Sequence, residues 1–531
     1  MKFGFVIDNR KCIGCHACTT ACKSEHDVAI GVNRTWVKQV EKGTFPDTKR
    51  MFSVMRCNHC TDAPCVEICP TTALYIREDG IVDFNNDRCI GCKSCMQACP
   101  YDALYIDPNT NTAAKCNYCA HRIDVGLEPA CVNVCPEHAI VSGDMDNPES
   151  EISQVLGRHQ TTVRKPEKNT EPNVFYINGD QASLNPASTE PSYDYFWNSQ
   201  SKGVGHFAKF AEEKTKGVDL ISMVDELNNE TETIQQGTKS IEVLMEKNRR
   251  VYDSPHKGTL WGWEVSSYVF TKAIAAGVFL VAFLATIVSG VHISETMPGL
   301  VGLTSLVFLG ITGILLVKDL DQPKRFLYVL LRPQFRSWLV RGAYAITLMG
   351  AFVTLWVLSI YFGWTSLQRF SFYGGAITSA ITAVYTAFLF AQAKGRDFWQ
   401  SPTLAIHMIV HSLMAGAAVC VLWGLTYEMS IDWEHYLRYL LMGTIGFNLF
   451  TMAMEMWISH PTGDSKKVVN MILQGPFRHR FWYGIIIFGN AIPLMLLYMN
   501  ELSPVSSVLI LIGVYQAEHI WVQAPQQVPL S

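Results

Sequence analysis

The pattern of hydrophobic and polar positions divides the chain into two unlike parts. Beyond residue 265, apolar runs recur that are each about 20 residues long, the length that an α-helix needs to cross a bilayer. Before residue 146 the apolar runs are short and strand-like, as in "GFVID" and "GIVDF". The pattern therefore predicts an α+β domain followed by an all-α polytopic membrane domain of about eight helices. The predicted spans are 266–290, 299–317, 338–362, 372–393, 403–427, 436–458, 481–499 and 505–522.

The stretch between these parts is polar. It contains loop signals such as "RKPEKNTEPN", and only 207–250 could form one or two amphipathic helices. We therefore predict three parts: a first domain at 1–145, a linker at 146–260 that could pack on either neighbour, and a membrane domain at 261–531.

Basic residues in the loops predict the orientation. With eight helices, both chain ends lie on one side of the membrane. The loops on that side hold twelve lysines and arginines, whereas those on the other side hold two. Because cytoplasmic loops are enriched in these residues, we expect the first domain in the cytoplasm, at the inner membrane of a bacterial cell. The absence of an apolar or twin-arginine leader from "MKFGFVIDNRKC" agrees with this expectation.

Net charge and cysteine content narrow the range of possible functions. The formal net charge is only −4, so nucleic-acid binding is not expected. Of 17 cysteines, 16 precede residue 146, and they fall into four groups of four. The groups are Cys12, Cys15, Cys18 and Cys22; Cys57, Cys60, Cys65 and Cys69; Cys89, Cys92, Cys95 and Cys99; and Cys116, Cys119, Cys131 and Cys135.

The spacing of these cysteines favours iron–sulfur clusters. The first group, "CIGCHACTTAC", and the third, "CIGCKSCMQACP", have the bacterial ferredoxin spacing. The second and fourth groups keep the final C-x3-C-P but lengthen an inner gap. Zinc is the alternative, but zinc sites give no reason for a repeated C-x3-C-P. Sixteen thiolates in four such groups predict four [4Fe–4S] clusters.

These motifs resemble the iron–sulfur subunits of the dimethyl sulfoxide reductase and polysulfide reductase family, over about residues 1–145. The resemblance implies a ferredoxin-like domain that passes electrons to or from a separate molybdopterin catalytic subunit. It also implies that the first group pairs with the fourth and the second with the third, and that the two groups of each pair exchange their last cysteine. Cys135 would complete the first group and Cys22 the fourth, while Cys99 would complete the second and Cys69 the third.

Polar residues inside the predicted spans are candidates for a quinone site, because ionisable groups at membrane depth are costly. They fall near the membrane face that carries the cysteine domain. Histidine and glutamate can exchange protons, and a lysine or histidine can donate to a quinone carbonyl. The predicted reactive residues are Lys272, Gln392, His407, His411 and Glu455, and the predicted binding residues are Tyr268, Asp319 and Asn448.

Structural explanations compete with this interpretation. Lys272 could snorkel to the interface, and each histidine could make an ordinary bond between helices. Asp319 could pair with Arg325 or Lys324. Haem is disfavoured, because His407 and His411 share one helix face instead of facing each other across two helices. Lipid and quinone are thus the expected membrane partners.

A second resemblance concerns the membrane part. The loops "DLDQPKRFLYVLLRPQFRSW" and "AQAKGRDFWQSP" resemble those of NrfD-type membrane subunits, over about residues 255–525. That resemblance implies a quinone-reactive anchor fused to its electron-transfer subunit. The predicted function is electron transfer, through four clusters, between a catalytic subunit and a membrane quinone in a respiratory oxidoreductase. The alternative is a subunit of a proton-translocating, quinol-oxidising complex.

Overall fold

The computed structural model of the chain describes residues 1–44, 46–189, 248–254, 257–287, 291, 297–457, 462–499 and 504–531. Most of the stretch that predicts amphipathic helices, 207–250, lies outside these residues.

The first domain is built on small sheets. The strands are β1 (Phe3–Asp8), β2 (Thr35–Thr44), β3 (Asp47–Arg56), β4 (Leu74–Ile76), β5 (Val82–Phe84), β6 (Tyr105–Asp107), β7 (Thr112–Ala114), β8 (Ile140–Asp144), β9 (Thr161–Thr162), β10 (Val174–Ile177) and β11 (Arg249–Tyr252). One sheet has the order β8-β1-β10-β9 and a second has the order β11-β2-β3, while β4-β5 and β6-β7 are hairpins. Strands and short helices thus alternate, which confirms the predicted α+β class.

The first five short helices of this domain carry cysteines or begin directly after one. They are α1 (Ala17–Glu25), α2 (Pro64–Ile68), α3 (Ser94–Ala98), α4 (Ala120–Ile123) and α5 (Ala130–Asn133), followed by α6 (Glu151–Arg158) and α7 (Gln181–Leu184). The residues at their N-terminal ends turn the chain sharply: His16, Lys93 and Cys119 have φ values of 59°, 60° and 52°. Such left-handed turns fold each cysteine loop back on itself.

The strands of the predicted linker pack on the first domain, whereas its segment 167–169 contacts the membrane part, where Lys168 pairs with Asp397. Strand β10 pairs in parallel with β1, Val174 lying opposite Phe5. Strand β11 pairs antiparallel with β2, Arg250 lying opposite Val40. The short apolar run "VFYI" of β10 is mostly buried and joins the core of the sheet, which explains why a polar segment returns to this domain.

The membrane part is helical. Its helices are α8 (Trp263–Ile287), α9 (Met297–Lys318), α10 (Tyr328–Leu331), α11 (Trp338–Tyr361), α12 (Thr365–Gln392), α13 (Thr403–Leu422), α14 (Ile431–Trp457), α15 (Gly463–Leu473), the π-helical α16 (Arg480–Ala491), its continuation α17 (Ile492–Tyr498), and α18 (Pro504–Gln523). Turns of 3-10 helix lie at Pro166–Lys168, Pro186–Ser188, Pro323–Arg325, Asp397–Gln400, Trp423–Leu425 and Ala524–Gln527.

Seven helical stretches within the described residues are long and apolar enough to cross a membrane. They correspond to seven of the eight predicted spans. The remaining one, α14, has 27 residues, but it carries Asp432, Glu434, Arg438 and Glu455. These charges make it more polar than the other long helices, although its length would suffice.

The helices form two neighbouring bundles. Helices α8, α9, α11 and α12 make up the first, and α13, α14, α16 to α18 the second. The bundles meet where α8 crosses α13, at Gly277 and Gly416. A Cβ at Gly277 would lie 1.7 Å from the carbonyl oxygen of Ser412, and one at Gly416 would lie 2.2 Å from the carbonyl carbon of Gly277. Only glycine permits this backbone approach.

Candidate functional site

Two loops of the membrane part hold the cysteine domain in place. In the loop after α9, Arg325 donates to the carbonyl of Cys89 (3.0 Å) and Lys93 pairs with Asp321 (3.0 Å). In the loop after α12, Arg396 donates to the side chain of Gln97 (2.9 Å). Helix α8 joins this junction through Trp261, whose indole donates to the carbonyl of Cys92 (3.2 Å). The third cysteine group therefore lies directly on the membrane domain.

The structure brings fifteen of the sixteen cysteines together across the sequence groups. The thiols that interact electrostatically are Cys135 with Cys12 and Cys18; Cys22 with Cys116, Cys119 and Cys131; Cys99 with Cys57, Cys60 and Cys65; and Cys69 with Cys89, Cys92 and Cys95. This arrangement has the same exchange of last cysteines that the family resemblance implies.

The surroundings of the thiols suit an anionic metal cluster. Backbone N–H groups of Gly91 and Ala113 donate to the sulfur of Cys89 (3.4 Å each). Burial raises the pKa of the Cys57 thiol to about 11, so a bound cation is needed to keep that sulfur deprotonated. Arg56 is fully buried and no nitrogen of its guanidinium has a hydrogen-bond partner in the described chain. Its charge requires an anionic neighbour.

An apolar cavity of about 220 Å³ lies between the third cysteine group and the first helix bundle. We call it the apolar cavity. Its polar lining comes from both sides of the junction: Cys92 and Ser94 from the cysteine domain, and Tyr268, Asp319 and Tyr385 from the membrane domain. Apart from Thr347, the remaining walls are apolar: they consist mostly of leucine, valine and isoleucine side chains and include Trp261 and Phe326. A flat apolar ring placed here would lie beside Cys92.

Two ionisable side chains lie near this cavity, one in its lining and one behind its wall. Asp319 lines it, and burial raises the pKa of its carboxyl group to about 7. Lys272 is 1% exposed and lies behind the wall, where it donates to Thr386 Oγ1 and to the Ala383 carbonyl, both at 2.9 Å. Its ammonium also lies 4.9 Å from the ring centre of Tyr385. Lys272 is therefore directed into the bundle and does not snorkel to the surface.

A second group of polar residues lies in the other bundle. His411 bridges two helices, because its Nδ1 lies 2.7 Å from Glu518 Oε1 on α18 and its Nε2 lies 3.2 Å from Asn448 Oδ1 on α14. The ring of His407 lies 3.9 Å from that of His411, centre to centre. We call Glu455, His407, His411 and Glu518 the histidine–glutamate series; each is at most 7% exposed.

The predicted site residues therefore divide into three places. Tyr268 and Asp319 line the apolar cavity, with Lys272 behind it. The residues of α13 and α14 belong to the second group. Gln392 joins neither: it accepts from the Trp338 backbone (2.9 Å), donates to the Arg336 carbonyl (2.8 Å), and reaches Glu67 of the cysteine domain.

Comparison with known proteins matches both parts of the chain to protein families. The family model "Polysulphide reductase, NrfD" matches residues 253–523, about half of the chain. The chain belongs to the NrfD family. Two models of the 4Fe-4S dicluster domain match residues 11–74 and 48–145 of this NrfD protein, so an iron–sulfur part is fused to the NrfD part.

Individual relatives resemble this NrfD protein over about a third of its length. A tetrathionate reductase subunit of Salmonella typhimurium is 43% identical over 189 residues, which cover 35% of this chain and 76% of that protein. A polysulfide reductase component of Wolinella succinogenes is 44% identical over 181 residues, or 33% of this chain and 94% of that protein. The arsenate respiratory reductase iron-sulfur subunit of a Shewanella species is 38% identical over 225 residues, with coverages of 33% and 96%. This NrfD fusion is thus a membrane-integral part of an oxidoreductase system.

Three residues of these sites were not predicted from the sequence. Glu518 lies inside the predicted span 505–522, so the rule that selected Glu455 should also have selected it. Tyr385 gave no signal, because a tyrosine in an apolar span is usually part of the core. Trp261 precedes the first span, and only the fold shows its bond to Cys92.

Proposed function

We propose that this chain oxidises a membrane quinol in the apolar cavity and delivers the electrons to a separate reductase subunit. The relatives support this direction, since their names describe them as parts of reductases. One observation carries the site: the same cavity is lined by Cys92 of the third cysteine group and by membrane residues. A quinol held there would lie next to the start of the electron path.

The sixteen cysteines would hold four [4Fe–4S] clusters, which supply one-electron transfer steps when bound. The protein's own contribution is to fix the sulfur positions and to surround them with N–H donors and buried cations. Cys15 is exposed and its neighbour Ile13 is 56% exposed. We propose that the catalytic subunit docks at this end, opposite the membrane. By resemblance, that subunit is of the molybdopterin type.

In the apolar cavity, each polar residue has a distinct proposed role. Apolar walls would hold the quinol ring and exclude water. Tyr268 and Tyr385 would bond the ring oxygens, and the carboxylate of Asp319 would accept a hydroxyl proton. Lys272 would orient Tyr385 and Thr386 from behind the wall. We further propose the cytoplasm for the cysteine domain, because the basic loops that bind it lie on that side of the membrane.

The test is a rapid-mixing experiment on the full-length protein in detergent. A short-chain quinol is mixed anaerobically with the oxidised protein, and cluster reduction is followed by the loss of visible absorbance. Ala343 lines the cavity from α11. The substitution Ala343→Trp should fill the cavity and slow reduction by quinol at least tenfold, whereas dithionite should reduce the variant normally.

The matched control is Leu348→Trp. Leu348 lies on the same helix and is 49% exposed, outside the cavity lining. This variant should react with quinol at the wild-type rate. Equal quinol rates in the wild type and in Ala343→Trp would remove the apolar cavity as the site, and a wild type that quinol does not reduce would refute the proposed function.

A further inference from the structure

The histidine–glutamate series is not needed to bind quinol in the apolar cavity. Buried ionisable groups in a membrane helix are expensive, and this series places them on α13, α14 and α18 at once. The proposed reaction leaves one requirement open: two protons must leave the cavity when a quinol is oxidised.

The outer end of the series opens toward the cysteine-domain side. Glu455 lines a second cavity of about 630 Å³ between the loop 394–403, the start of α15 and the segment 167–169. We call it the polar cavity. Its lining includes Lys168 and Asp397, which form an ion pair, and Thr403, which donates to Glu455 Oε1 at 2.5 Å. Glu455 thus connects the bundle interior with a polar, open space.

The middle of the series contains acceptors that are free to exchange protons. Neither ring nitrogen of His407 has a hydrogen-bond partner within the described residues, and the same holds for Glu455 Oε2. His407 Nδ1 and Glu455 Oε2 are 3.8 Å apart, a gap that a side-chain rotation would close to hydrogen-bond distance. The neighbouring His411 is already bonded to Glu518.

The inner end reaches the apolar cavity through Lys272. The carboxylate of Glu518 acts electrostatically on Lys272, and Lys272 donates to Thr386 Oγ1 (2.9 Å). The Lys272 ammonium also lies 4.9 Å from the ring centre of Tyr385, which lines the apolar cavity. Polar groups therefore lie at intervals between the two cavities, and the gap at His407 must be closed by side-chain rotation.

We propose that Glu455, His407, His411, Glu518 and Lys272 form a proton route between the apolar cavity and the polar cavity. The inference rests on the proposed function. Oxidation of one quinol breaks two O–H bonds; two electrons pass to the iron–sulfur clusters and on to the acceptor of the reductase subunit. The two protons travel along the route and leave on the cysteine-domain side. The reverse reaction would use the same path inward.

A buried metal site is the competing explanation for part of the series. Ligand atoms of His407, His411 and Glu518 lie within 4.8 Å of one another. However, both nitrogens of His411 are already engaged, with Glu518 and Asn448. A cation would have to break these bonds, so the geometry favours the proton route.

The test compares quinol-driven cluster reduction in H₂O and D₂O for Glu518→Gln and Glu455→Gln in the full-length protein. Both variants should react at least tenfold more slowly and show a larger solvent isotope effect than the wild type, with normal reduction by dithionite. Formate, a small weak acid, should restore the rate of Glu455→Gln, because Glu455 borders the open polar cavity. It should not restore Glu518→Gln, since Glu518 is 2% exposed and lines neither cavity.

Controls separate this inference from a loss of structure and from the proposed function. Glu434→Gln, at the other end of α14, should leave rate and isotope effect unchanged. Iron content and melting midpoint show whether a variant is folded, and Glu455→Asp should retain most of the rate. Wild-type rates and isotope effects in both glutamine variants, with Ala343→Trp still at least tenfold slower toward quinol, would overturn the proton route alone. If quinol does not reduce the wild type, both proposals fail.

Discussion

The crossing of α8 and α13 gives the sharpest structural prediction. The substitution Gly277→Ala adds one methyl group where the two backbones touch. Its Cβ would lie 1.7 Å from the Ser412 carbonyl oxygen, while ordinary van der Waals contact starts at 3.4 Å. A carbonyl within a helix cannot rotate away, so the helices must separate by roughly 1.5 Å.

The loss of stability in Gly277→Ala can be estimated from this overlap and measured against a matched variant. Overpacking a core by one methyl group typically costs about 1–3 kcal/mol. Replacing a helical glycine with alanine also gains about 1 kcal/mol of helix propensity. No atom of the described residues lies within 4 Å of a Cβ added at Gly310 on α9, so Gly310→Ala gains the propensity without the overlap. The difference between the two variants should therefore equal the overpacking cost.

The assay is thermal unfolding of the purified protein in one detergent, followed by tryptophan fluorescence. Gly277→Ala should melt roughly 2–5 °C below Gly310→Ala if the membrane part unfolds as one unit. It should also react more slowly with quinol, because Ser412 directly follows His411 and a shift of α13 would break the 2.7 Å contact with Glu518. Equal melting midpoints for the two alanine variants would refute the close helix crossing.

Two further predictions concern the iron–sulfur part. The side-chain oxygen of Gln526 accepts from Gln97 (2.6 Å) and from the Leu260 and Trp261 backbones (3.0 Å each). Since each unsatisfied buried group costs about 1–3 kcal/mol, Gln526→Leu should lower the free energy of unfolding by several kcal/mol. It should lower the melting midpoint far more than the control Gln523→Leu does. Arg56 interacts with the thiols of two predicted clusters, through Cys131, Cys116 and Cys18. In an EPR redox titration, Arg56→Leu should therefore lower the reduction potentials of these two clusters by on the order of 100 mV. Arg56→Lys keeps the positive charge and should leave both potentials near the wild-type values. Unchanged potentials in Arg56→Leu would contradict a counter-charge role.

The class of each domain was predictable because it depends on local patterns. Apolar runs of bilayer length predict helices wherever they occur, and the four cysteine groups carry their spacing in the sequence. The docking loops were visible as well, in "DLDQPKRFLYVLLRPQFRSW", although their contacts with Cys89 and Gly91 were not.

The division of the polar residues into two sites was not predictable. Depth in the membrane can be read from the sequence, but the direction in which a side chain points within a bundle depends on how the helices rotate. Lys272 and His411 are both polar residues inside predicted spans, yet one backs the apolar cavity and the other bridges α14 and α18. The direction of the Gln392 side chain was likewise not predictable, since it points across the junction and binds the cysteine domain.

The bonds of Gln526 also have a consequence for biogenesis. This side chain joins the loops around Gln97 and Trp261, yet it follows every membrane helix in the order of synthesis. A ribosome that adds 5–20 residues per second needs roughly 15–50 s to make the stretch from 257 to 526. During that interval the cysteine domain is already outside the ribosome but not yet clasped to the bundle. The bonds that join the cysteine domain to the bundle through Gln526 therefore form only after the last described helix has been made.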